Sequence, residues 1–210
     1  MKAIRDAFGE ALVEVDAVNA NVMAVSCDLR GATRLQKFFD AFPDRSIEVG
    51  ISEANGIGIA AGLALSGYRP FIASFGAFIT GKNVEIRTSV GYNNAPVVVV
   101  GTHGGLIGPD GATKAGLQDL GVMRSIPNFS VFQPASEIET HEVVRCAAEL
   151  ETPVYIRIAR NAVPEIYCSD YRFKPGVGHV LRDGSDITLV SSGPCVHACL
   201  AAADQISDYS

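Results

Sequence analysis

Short, continuous apolar runs and helix-like stretches take turns along the first three-quarters of this chain. The runs "NVMAVSCDL" (21–29), "SIEVG" (46–50), "RPFIASF" (69–75), "PVVVVGTH" (96–103), "FSVFQP" (129–134) and "PVYIRIA" (153–159) predict strands. Between them, "ATRLQKFFDAF" (32–42), the glycine–alanine stretch 53–66, "FITGKNVEIRTSVGY" (78–92), 115–125 and "SEIETHEVVRCAAEL" (136–150) predict helices, the first stopped by Pro43. Strands apolar at nearly every position are buried on both faces, and strand–helix alternation with short connections argues a parallel sheet. The predicted fold class is therefore α/β: a mostly parallel sheet with helices on both faces.

Near residue 162 the rhythm changes. "AVPEIYCSDYRFKPGVGHVLRDGSD" is rich in Pro, Gly and charge and reads as a linker or hairpin. "ITLVSSGPCVHACLAAADQ" (187–205) then starts a fresh strand–turn–helix unit. The domain reading is 1–161 for the main unit, 162–185 for a linker and 186–210 for the incomplete start of a second α/β domain. One βα unit cannot make a domain alone, so a partner or further chain is expected to complete it.

Composition narrows the function classes. A net charge of −6, with lysines and arginines scattered singly, gives no basic stripe for nucleic acid. No apolar run is long enough to span a membrane, and the amphipathic, acid-bearing start "MKAIRDAFGEALVEVD" lacks the order of a signal peptide. The five cysteines are odd in number and contain no C-x-x-C pair, which favours free thiols, a reducing cytoplasm and no zinc site.

The stretch with most to explain is "IEVGISEANGIGIAAGLALSG" (47–67), where Glu53 stands alone before a helix of small apolar residues. "GIGIAAG" matches the dinucleotide fingerprint loosely. However, "ISEAN" separates it from the preceding strand, and the next strand, ending "IASFGAF", offers no acid for a ribose. The small residues instead suit close approach to a packed neighbour, within the chain or across a dimer. Glu53 is open to a modest reading as well, because an acid in a first helical turn is favoured by the helix dipole.

Taken together, the span from "GISEANGIGIAAG" through "THGGLIGPDGATK", "QDLGVMRSIPN" and "PVYIRIAR" resembles the pyrimidine-binding domain of transketolases, above all the C-terminal subunit of split transketolases. The likeness runs from about Lys2 to Arg160 without a large gap, with the start of the family's third domain visible at 174–206. It implies thiamine diphosphate as cofactor and transfer of a two-carbon ketol unit from a ketose, phosphorylated by expectation, to an aldose. By position, Glu53 matches the carboxylate that hydrogen-bonds the aminopyrimidine ring. Phe75 and Phe78 match the aromatic pair that packs on it, with plain core as the competing reading, and Gly81 falls where many relatives carry a third aromatic. Asp28 matches an acid near the cofactor and could equally cap a loop. His103 ends a strand where ligands bind in α/β sheets. With Arg5, Thr33 and Arg160 it matches the sugar-phosphate site; without the family, each of these is an ordinary surface residue.

Two departures from the family stand out. Asp110 and Thr113 are kept, but Lys114 replaces the usual His that contacts donor hydroxyls, which leaves donor choice open. These 210 residues also lack the Gly-Asp-Gly segment and later Asn that hold the diphosphate and its metal. The resemblance therefore implies a companion subunit carrying those residues and the Mg2+ (or Ca2+), in an α2β2 assembly. The rival readings are the β subunit of a 2-oxoacid dehydrogenase-type decarboxylase, a deoxyxylulose-phosphate synthase, and a non-catalytic pseudo-subunit.

Overall fold

The computed structural model describes residues 1–106 and 110–206. β1 (Lys2–Ala3) leads into α1 (Ile4–Asp16), followed by β2 (Val22–Ser26), the short helices α2 (Arg30–Thr33) and α3 (Gln36–Ala41), and β3 (Ser46–Glu48). Next come α4 (Glu53–Leu65), β4 (Arg69–Phe75), α5 (Gly76–Thr80), α6 (Asn83–Glu85) and a π-helical turn (Ile86–Gly91). β5 (Val98–Thr102), a 3-10 turn (Ala112–Lys114), α7 (Asp119–Arg124), β6 (Ser130–Phe132), α8 (Glu137–Glu149) and β7 (Val154–Ile158) follow. β8 (Ala162–Val163) and α9 (Cys195–Gln205) are the last described elements.

Six strands form one parallel sheet in the order β3-β2-β4-β5-β7-β6. The predicted architecture is the observed one. Alternate residues of the central strands serve opposite faces: Phe71, Ala73, Val98 and Val100 pack against α1, α3 and α8, whereas Ile72, Val99 and Tyr155 pack against α4, α5, α7 and the π-turn. That two-sided burial is why these strands read as continuous apolar runs. α8 begins at Ser136, whose side chain accepts the Glu139 N–H (3.3 Å), while Glu139 Oε2 accepts the Ala135 N–H (2.7 Å).

The glycines of α4 divide by position. A Cβ on Gly56 would lie 2.9 Å from Ile72 Cδ1, so this glycine lets the helix lie close on β4, whereas Gly58 and Gly62 face open space. Close approach within the chain therefore accounts for Gly56 alone.

Three predicted helices are shorter or broken. The 32–42 helix is interrupted at Arg34, which is left-handed (φ 67°) where Gly9 of α1 comes so near that a Cβ there would lie 2.5 Å from the Arg34 carbonyl oxygen. The 78–92 helix divides into α5, α6 and the π-turn, whose Gly91 presses on Ile126. The 115–125 helix starts only at Asp119, because Gly116 is bridged to Gly104.

In the C-terminal stretch, β8 pairs antiparallel with β1, so the predicted linker opens in a paired strand. The expected strand at the start of 187–205 is not formed, whereas its helix, α9, is; residues 207–210 lie outside the described residues. No helix among the described residues is long and apolar enough to cross a membrane.

Candidate active site

Parallel register brings the C-terminal ends of the central strands to one edge: Ser26 pairs with Ala73, Phe75 with Thr102, and Thr102 with Ile158. Glu53, the first residue of α4, is 8% exposed at this edge, and its Oε1 accepts the Ser74 hydroxyl at 2.9 Å. Its carboxylate makes no other hydrogen bond among the described residues. Cys27 lies against the same helix, and burial, reinforced by Glu53 and Glu48, pushes its thiol up to about 12, so it is an inert packing residue.

An aromatic wall adjoins the acid. The Phe75 and Phe78 rings are 5.3 Å apart, and the Phe75 and His103 rings 4.1 Å. His103 is buried with a left-handed backbone (φ 58°), and its Nδ1 lies 3.0 Å from Thr102 Oγ1. Burial, followed by the Arg5 guanidinium, holds its imidazole down at about 4, with Asp110 opposing and Arg160 and Arg34 adding to the depression. The imidazole is thus neutral at physiological pH.

Cationic groups converge beside it. Arg160 Nε pairs with Asp110 Oδ2 at 2.7 Å, and Arg34 pairs with Asp6. Arg5 is lowered from its usual range by burial and then by Arg34 and Arg160, and its Nε is buried without a hydrogen-bond partner among the described residues. A buried guanidinium nitrogen with no acceptor, in the field of two other guanidinium groups that Asp6 and Asp110 oppose, is suited to an anion.

The remaining predicted residues are less tightly gathered. Asp28 is exposed and left-handed (φ 59°), and its N–H donates to Glu48 Oε1 at 2.7 Å. Thr33 is fully buried, with its hydroxyl donating to the Leu29 carbonyl at 2.8 Å. Lys114 Nζ donates to Thr113 Oγ1 at 3.1 Å and makes no ion pair with Asp110 among the described residues.

Several polar residues were missed by sequence reasoning. Ser74 and Thr102 are fully buried in strands, where a small hydroxyl reads as core. Beneath the loop that follows β5, Asp119 Oδ2 accepts the Tyr155 hydroxyl at 2.8 Å and pairs with Arg157 Nε at 3.0 Å. Arg157 Nη2 also donates to the Gly116 carbonyl at 2.9 Å, fastening the two stems of that loop where Gly104 bridges Gly116. An Arg inside the β7 apolar run was the available signal.

Comparison with known proteins identifies the family. The family "Transketolase, pyrimidine binding domain" matches residues 1–165. A putative transketolase C-terminal section from Methanocaldococcus jannaschii is 36% identical over 211 residues, covering 99% of this chain and 67% of that protein. One subunit of the apulose-4-phosphate transketolase of Phocaeicola vulgatus is 32% identical, covering 94% of this chain and 64% of that protein. A solved structure described as a split-gene transketolase, inactive β4 tetramer, superimposes with a TM-score of 0.90 at 40% identity, covering 98% of this chain and 67% of that one. The chain spans about two-thirds of the length of these relatives.

Proposed function

This chain belongs to the transketolase family through its pyrimidine-binding domain, and from that premise we propose that it is the pyrimidine-binding subunit of a split, thiamine diphosphate-dependent transketolase. The reaction is transfer of a two-carbon ketol unit from a phosphorylated ketose to an aldose. One observation carries the reading: a buried acid at a helix start, an aromatic pair and a cluster of arginines share the C-terminal edge of one parallel sheet.

The residues present fit the aminopyrimidine end of thiamine diphosphate, because Glu53 offers a carboxylate oxygen not engaged by Ser74, and Phe75 and Phe78 offer an apolar wall. When bound, that cofactor supplies the carbanion chemistry. Glu53 then holds a proton at its carboxylate, and the two phenylalanines exclude water from that proton. Asp28 borders the cofactor. Arg5 and Arg160, with Thr33 and His103, form the substrate end, where the forked guanidinium groups suit a sugar phosphate. Asp110 holds Arg160 until substrate replaces it, and Lys114 bears on which ketose donates. A companion subunit holds the diphosphate and its Mg2+ or Ca2+, in an α2β2 enzyme of the cytoplasm. The domain boundaries read from the sequence, with 186–210 opening a further domain, belong to the same proposal.

Arg160→Ala in the assembled enzyme tests the substrate end. A charge-assisted hydrogen bond is worth roughly 1.5–3 kcal/mol, so KM for a phosphorylated aldose should rise about ten- to a hundredfold. KM for the matched unphosphorylated aldose should barely move. Equal losses on both would make Arg160 structural and remove the phosphate site.

A further inference from the structure

Arg157 stands where three segments of the chain meet, beneath the loop that follows β5. It lies two residues after Tyr155 on β7, and both side chains reach Asp119, the first residue of α7. Arg157 Nε lies 3.0 Å from Asp119 Oδ2, and Nη2 donates to the Gly116 carbonyl at 2.9 Å. The same carbonyl accepts the Gly105 N–H at 2.9 Å, and the Gly116 N–H donates to the His103 carbonyl at 3.3 Å. The first stem of the loop lies directly on the arginine: a Cβ on Gly104 would be 2.6 Å from Arg157 Cγ and 2.9 Å from Cδ. From this we infer that Arg157, held by Asp119, is a positioning residue: it fixes both stems of the loop and so places Asp110 and Lys114 at the sugar end of the site.

The arrangement needs a guanidinium fork. Asp119 is fully buried, and its Oδ1 has no hydrogen-bond partner among the described residues, so its carboxyl group rests on Arg157 and on the Tyr155 hydroxyl at 2.8 Å. An ammonium is a point charge without a fork, so a lysine cannot serve Asp119 and Gly116 from two nitrogens at once. An apolar side chain would leave a buried acid without its cation and the Gly116 carbonyl short of a donor. Arg157 is also the only charged residue of β7, whose sequence is VYIRI. A charge so nearly buried in an otherwise apolar strand is explained by what it holds.

The consequence deepens the proposed function and rests on it. Asp110, carried between the two stems, pairs with Arg160 at 2.7 Å, and Arg160 follows Arg157 by three residues. One strand end therefore carries both the arginine that clamps the stems and the arginine that meets the acid of the loop. Among the described residues Arg157 makes no hydrogen bond or ion pair with Glu53. Loosening the clamp should therefore weaken the hold on the sugar and leave the cofactor end as it is.

Amide hydrogen exchange on the full chain tests the clamp without any activity. The Gly105 and Gly116 amides should exchange slowly in the unaltered chain. In Arg157→Lys their exchange should quicken about 2- to 10-fold, the worth of one hydrogen bond, while the Val99 and Val100 amides of β5 keep their rates. Gly104→Ala, which pushes on the same side chain from the other stem, should act alike. In the assembled enzyme, Arg157→Lys should raise KM for the donor ketose about 2- to 10-fold, with kcat and the half-saturating thiamine diphosphate concentration near normal. Fast exchange at Gly105 and Gly116 in the unaltered chain, or unchanged exchange in a folded Arg157→Lys, overturns the clamp; the unaltered chain suffices should the variants fail to fold. Faster exchange with an unchanged KM, or KM and cofactor half-saturation rising together, overturns the positioning role. An absence of ketol transfer with any companion would instead count against the proposed function, and leave the clamp standing.

Discussion

Glu53 combines three conditions that rarely meet in one side chain. It is an acid, it is buried, and among the described residues the only side chain hydrogen-bonded to its carboxylate is the neutral hydroxyl of Ser74. The positive end of α4 compensates by about 0.3–1 kcal/mol, up to about 2 in a partly buried site. That is modest against the cost of burying a carboxyl group on a single hydrogen bond, so the position is better explained by a use than by stability. Glu53→Gln keeps the shape and the Ser74 contact but cannot exchange a proton. Turnover of the assembled enzyme should fall by about 10²–10⁴-fold, with circular dichroism and melting temperature near normal. A near-normal rate would return Glu53 to the role of a helix-dipole residue. His103 gives a second residue-scale prediction. Its imidazole is held at about 4, below the ordinary value of 6.5, so the unfolded chain binds the proton more readily. The associated stability is fully present above about pH 6.5 and is lost as pH falls toward 4, at roughly 1.4 kcal/mol per unit. Denaturant unfolding at pH 7 and pH 4.5 should therefore show a loss about 2–3 kcal/mol larger for the unaltered chain than for His103→Gln. Parallel losses would mean that His103 titrates normally.

At the scale of elements, legibility follows the reach of the forces involved. β4 was read to the residue because its burial is local and continuous, and α8 nearly so because Ser136 and Glu139 cap it locally. The helix over 32–42 failed at Arg34 because the cause, Gly9, lies in another element. Likewise the start of α7 depends on a bridge between Gly104 and Gly116 that no local pattern announces. The site shows the same division. Glu53 and His103 are marked by where they fall, at a helix start and a strand end, although their roles came from the family resemblance. Ser74, Thr102, Asp119 and Tyr155 were invisible, since a buried polar residue satisfied by a distant partner looks like core. Gly101 in β5 is a sharp test of that hidden layer. A Cβ there would lie 2.0 Å from the Tyr155 hydroxyl oxygen and 2.7 Å from its ring carbon. Tyr155 cannot easily retreat, being held by Asp119. Gly101→Ala should therefore destabilise the chain by about 1–3 kcal/mol, the range for overpacking, read as a lower urea midpoint with unchanged slope. A neutral result would show that β5 and β7 slide apart more freely than their pairing suggests.

On the scale of the whole molecule, the chain holds half of what its proposed chemistry needs. The edge of the sheet supplies the acid, the aromatic wall and the arginines, all on residues that belong to this fold. The segment that family members use for the diphosphate and its metal does not occur in these 210 residues. Binding energy divides in the same way. Under the proposed function, the aminopyrimidine end would offer one carboxylate contact and stacking, while charge–metal contacts to a diphosphate would carry the larger electrostatic share. Titration calorimetry of the isolated chain with thiamine diphosphate and Mg2+ should therefore show no tight, metal-dependent binding. Addition of a companion carrying the Gly-Asp-Gly segment should create it, together with ketol transfer. Micromolar, Mg2+-dependent binding by the chain alone would refute the division of labour, because it would require a diphosphate site built from residues to which no such role has been given.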